Sequence, residues 1–152
     1  MRTLKFFILL GIIGVSLSSF ISNKSKNIEL TSPLGFQIAN SYSDLLTKLN
    51  DYEIEKVTKI EFVENDKFNA AFIDVELKNG ETSRRIIGKG EIINNYNLVS
   101  STSVTGTITY SCSGCSNCIV GGTIDGNGVL TVTCSKSCCT LNINTPPISG
   151  NP

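Results

Sequence analysis

The sequence predicts an α+β fold: a small antiparallel sheet with one short helix, followed by a cysteine-rich all-β hairpin or meander module. Three observations carry this. Ile73, Val75 and Leu77 alternate with Asp74, Glu76 and Lys78 ahead of an Asn79-Gly80 turn. One capped apolar stripe, Leu45, Leu46 and Leu49, stands apart from the strands. All six cysteines fall between Cys112 and Cys139, so one local element is held by sulfur chemistry.

Residues 1–19 read as a secretory signal. Arg2 and Lys5 form a cationic start, Phe6 to Val15 an apolar stretch, and Ser16, Ser18 and Ser19 a small-residue cleavage region. The apolar run from Phe6 to Ile21 falls short of the ~20 residues that span a bilayer, which favours cleavage over anchoring. No cysteine lies near the cleavage region, so lipid anchoring by that route is not expected. Residues 20–34 read as a polar tether.

The α+β domain is assigned to residues 35–96. Ser41 is the expected N-cap of a helix running to Leu49, with Asp44 three residues on completing a capping box. Val57, Thr58, Ile60 and Phe62 mark a first strand, and Asn65-Asp66 a turn. Phe68 to Lys78 is the clearest strand. A two-residue type I′ turn at Asn79-Gly80 would set Lys78 opposite Glu81 and Asp74 opposite Arg85, with Arg84 opposite Val75 on the apolar face. Ile86-Ile87 and Ile92-Ile93 extend the same sheet. Residues 97–104, rich in serine, read as a linker.

Residues 105–144 form the second module, with strands expected from Thr105 to Tyr110, Ile119 to Ile124, Val129 to Thr133 and Thr140 to Ile143. Asp125-Gly126-Asn127-Gly128 is a hairpin turn; the carboxylate that would close a calcium loop is missing. Residues 145–152 read as a disordered tail. With Ile124 facing Val129, one register predicts three nested bridges: Cys112–Cys139, Cys115–Cys138 and Cys118–Cys134. Cross-links suit a segment of this size, with little apolar surface of its own to bury. The rival is a zinc-ribbon-like metal site on Cys115, Cys118, Cys134 and Cys138, in which 15 residues separate two knuckles. The second knuckle has three residues between its cysteines instead of two, and Cys112 and Cys139 are left over.

Composition narrows the function. Removing Arg2 and Lys5 from 13 basic residues leaves 11 against 13 acidic ones, with no basic patch for nucleic acid. Histidine is absent, which removes Ser-His and Cys-His nucleophiles and the common catalytic zinc sites. Tryptophan, the usual stacking platform for sugars, is absent too. The carboxylate pairs Asp74/Glu76 and Glu61/Glu64 read as solvated charges. The expectation is an exported, non-enzymatic binding or structural protein without a cofactor. It has no membrane span in the mature chain, and a protein or cell-envelope component as partner.

Overall fold

The computed structural model describes residues 28–94 and 106–145. They form a mostly β protein with one short helix and a cysteine cluster towards the C-terminus. In chain order the elements are α1 (Tyr42–Leu49), β1 (Ile54–Glu64), β2 (Phe68–Leu77), β3 (Thr82–Gly90), β4 (Ile92–Asn94), β5 (Ile108–Ser113), β6 (Val120–Ile124), β7 (Leu130–Cys134) and β8 (Thr140–Asn144). A five-stranded sheet has the order β1-β2-β3-β5-β8, and a three-stranded sheet the order β4-β7-β6.

Alternation along β2 explains the layering, because successive side chains leave opposite faces of a strand. Ala71, Ile73 and Val75 point to one face, where they meet Leu45 and Leu49 of α1 together with Ile38 and Ile87. Phe68, Ala70 and Phe72 point to the other, packing with Ile86, Ile108 and Tyr110 against Ile92, Val120, Leu130 and Val132 of the small sheet. The large sheet is thus covered by a helix on one side and by the small sheet and the cysteines on the other. Burial at Tyr110 pushes its phenol up to about 12.

The helix is bounded as its sequence implies. Ser41 Oγ accepts the Asp44 N–H at 3.1 Å. The return bond of the capping box goes one residue further out, from Asn40 N–H to the Asp44 carboxylate at 2.8 Å, and it holds that carboxyl below its ordinary value. Asn50, at φ 46, ends the helix in the left-handed region.

Both hairpins of known turn sequence differ from the expected register by one residue. At the first, Leu77 N–H donates to Glu81 O and Gly80 N–H to Leu77 O, closing a three-residue loop with Gly80 at φ 82. At the second, Asp125 N–H donates to Val129 O and Gly128 N–H to Asp125 O, with Gly128 at φ 76. Both are three-residue loops that end in a left-handed glycine, which at Asn79-Gly80 replaces the expected two-residue type I′ turn. The only non-glycine residues described with positive φ are Asn50 and Asn117, so Asn79 does not adopt the first position of a type I′ turn.

A one-residue slip exchanges the faces of one strand. Asp74 lies opposite Arg84, not Arg85, and Ile73 lies opposite Arg85. Arg84 therefore sits on the same face as Phe72, partly exposed, 2.6 Å from Asp74 and over the Phe72 ring, while Arg85 turns to the helix side at 5% exposure. Arg85 is accommodated by an ion pair to Asp51 and by hydrogen bonds to Ser83 Oγ and Arg84 O.

Three further expectations change. Ile92 and Ile93 leave the large sheet: Gly90, at φ 105, turns the chain so that β4 pairs in parallel with β7. Of the tether assigned to 20–34, the part from residue 28 docks instead. Ile28 and Leu30 pack on the helix-side core, and Ser32 Oγ donates to Glu64 at 2.8 Å. The two segments divided at 97–104 share one body, since Ile86, Ile87 and Gly88 of β3 pair with Tyr110, Thr109 and Ile108 of β5. The signal at 1–19, the linker at 97–104 and the tail from 146 lie outside the described residues.

Candidate functional site

The site is the sulfur cluster where the two sheets meet. Three disulfides join Cys112 to Cys134, Cys115 to Cys138 and Cys118 to Cys139, with Cα separations of 5.8, 6.0 and 5.8 Å. No cysteine is free. The order is first to fourth, second to fifth and third to sixth, an interlaced pattern. Of the nested bridges expected, Cys115–Cys138 is the one the structure places; Cys112–Cys139 and Cys118–Cys134 are replaced.

The reason is topological. The nested pattern requires one continuous ladder on both sides of the 125–128 turn, but β5 and β6 belong to different sheets. The chain crosses between them through Gly114, at φ 121, and Asn117, at φ 57. A Cβ at position 114 would come within 2.8 Å of Cys138 O, so the crossing needs glycine at that point. With Ile124 opposite Leu130, Cys134 ends its ladder opposite Val120, leaving Cys118 beyond it. Cys112 sits opposite Leu141 on β5, so Cys139 lies past that register and reaches Cys118 instead.

Two of the bridges touch. Cys115 Sγ lies 3.5 Å from Cys118 Sγ and 3.4 Å from Cys139 Sγ, and Cys115 N–H points at Cys118 Sγ at 3.4 Å. Cys118 and Cys139 are 8% exposed and Cys112 6%, whereas Cys138 is exposed. Within residues 106–145 only Asp125 and Lys136 carry charge. Lys136 Nζ donates to Ser116 O at 2.9 Å, closing the 135–138 loop over the crossing segment. The cleft beside it, lined by residues 133–137 with Cys139 and Leu141, measures about 180 Å³, below the ~300 Å³ at which small-molecule pockets begin.

The ligand set suggested by sequence, Cys115, Cys118, Cys134 and Cys138, is not the group the fold assembles. Cys134 is bonded to Cys112, and the sulfurs that lie within 4.8 Å of one another are those of Cys115, Cys138 and Cys139. The zinc-ribbon spacing left Cys139 over, together with Cys112, because it took Cys134 and Cys138 as the second knuckle.

The carboxylates singled out from sequence each have a partner. Asp74 pairs with Arg84, Glu76 with Lys56, Glu61 with Lys59, and Glu64 accepts from Ser32. The 125–128 tip is tied down: Asp125 Oδ1 accepts Asn127 N–H and Val129 N–H, both at 2.9 Å. Gly128 O accepts from Asn65 Nδ2 at 2.8 Å, joining the tip to the β1–β2 turn. Beside the tip, Ile124 is 50% exposed. Among the described residues no helix is long and apolar enough to cross a membrane. No protein-family model, curated protein or solved structure matches this chain.

Proposed function

We propose that the protein is an exported, non-enzymatic binding or structural module that works at the cell envelope or outside the cell. The observation that carries this reading is the interlaced set of three disulfides. Cross-links of this kind persist in oxidising compartments, and they agree with the signal pattern at residues 1–19.

The binding surface in this reading is the tip at residues 125–128 with Ile124 beside it. Its backbone is fixed from within by Asp125 and from outside by Asn65, so little conformational freedom is left to lose on binding. Ile124 supplies an apolar anchor for a protein or envelope component. No catalytic role is assigned to the carboxylates.

Cell fractionation followed by alkylation without reductant tests the compartment. The protein is expected outside the cytosol with no cysteine labelled; cytosolic protein with labelled cysteines would contradict the reading. Substrate turnover by purified protein, abolished by one carboxylate substitution, would contradict the non-enzymatic part.

A further inference from the structure

We propose that Cys115, Cys118, Cys138 and Cys139 form a redox-gated tetrathiolate site for zinc, closed while the two touching bridges are intact and opened by their reduction. The inference goes beyond the exported-module reading and does not depend on it.

The geometry comes first. Four thiolates around zinc at ~2.3 Å stand roughly 3.8 Å apart along the edges of a tetrahedron. Cys115 Sγ already lies 3.4 Å from Cys139 Sγ and 3.5 Å from Cys118 Sγ. Cys115, Cys138 and Cys139 present their sulfurs within 4.8 Å of one another. Breaking Cys115–Cys138 and Cys118–Cys139 lets each bonded pair relax outward to that edge length, while Cys118 Sγ, outside the 4.8 Å group, must also close on Cys138 Sγ. Within Cys115-Ser116-Asn117-Cys118 the Cys115 N–H is directed at Cys118 Sγ at 3.4 Å. A donor of that kind stabilises a metal-bound thiolate. Lys136, tied to Ser116 O, adds a positive charge beside a site whose four thiolates and one Zn²⁺ carry a net −2.

The gate follows from exposure. Cys138 is exposed and Cys115 half-buried, so their bridge is the accessible one. Cys118–Cys139, buried at both ends, lies against that bridge, and Cys112–Cys134 lies outside the ligand group. Each bridge takes two electrons from a trialkylphosphine and two protons from one water molecule, whose oxygen leaves on the phosphine oxide. The four thiols then release four protons as zinc binds.

The test uses purified wild-type protein, a water-soluble phosphine and Zn²⁺, read by native mass spectrometry and by alkylation with site mapping. The expected result is one zinc per chain in the reduced protein and none in the oxidised protein. Cys115, Cys118, Cys138 and Cys139 should be protected until a chelator is added, with Cys112 and Cys134 gaining no protection from zinc. As a second arm, cadmium–thiolate absorption should survive Cys134→Ser and be lost in Cys139→Ser. The wild-type protection map stands even where a variant misfolds. Absence of zinc in the reduced protein, or protection of Cys134 in place of Cys139, overturns the proposal.

Discussion

Arg85 shows how much one side chain can depend on its partners. It points to the helix-side face among Ile73, Val75 and Ile87, and its charge is met by Asp51 just beyond α1. Removing one member of a buried pair leaves the other charge uncompensated, typically at a cost of ~3–5 kcal/mol. Asp51→Ala should therefore destabilise the fold by about 3 kcal/mol, measured by urea unfolding. Arg84→Ala, in a pair whose side chains are 35% and 30% exposed, should cost ~1 kcal/mol or less. Equal effects would show that Arg85 is solvated in the folded protein. Tyr110 gives a second handle at this scale. Its pKa is raised to about 12 from an ordinary 10 by burial, so folding favours the neutral phenol. The stabilisation is fully present below pH 10 and is lost as the pH rises through 12. A spectrophotometric titration should find one tyrosine ionising near 12, and Tyr110→Phe should remove that step.

Turns set the elements. Gly80 and Gly128 both hold positive φ with no Cβ obstruction at 80 and only the Asn65 side chain, at 3.4 Å, near 128. Alanine at either should cost about 1 kcal/mol from backbone strain alone. At Gly90 a Cβ would come within 2.3 Å of Lys67 O, so Gly90→Ala combines strain with a backbone clash and should cost clearly more than Gly80→Ala. Thermal melts of the three variants rank them directly. The same turns mark the limit of what sequence tells. The strand cores from Phe68 to Leu77 and at 120–124, 130–134 and 140–144 are legible because alternation survives any choice of loop. Whether Asn-Gly closes a two-residue or a three-residue loop depends on which residue takes positive φ, and the dipeptide permits either. At Asn79-Gly80 that single degree of freedom moved the register, and with it Arg84 and Arg85.

At the scale of the whole molecule, strand pairing unites the halves of the chain, and the sulfur cluster cross-links the second half. Local patterning reads residues 35–96 and 105–144 as separate modules. Pairing between β3 and β5 and between β4 and β7 is long-range, and no local signal in the sequence reports it. The cysteines were legible as a cross-linked group, while their pairing was not, because it depends on β5 and β6 lying in different sheets. Each bridge closes 21 to 23 residues and should contribute roughly 3 kcal/mol through the unfolded chain. Replacing Cys112 and Cys134 together by alanine should lower stability by at least that amount, since Cys112 also packs in the core. The central claim is the interlaced connectivity, and stepwise partial reduction with alkylation and peptide mapping measures it most directly. The account predicts Cys112–Cys134, Cys115–Cys138 and Cys118–Cys139; recovery of Cys112–Cys139 with Cys118–Cys134, or of free thiols in the native protein, would contradict it.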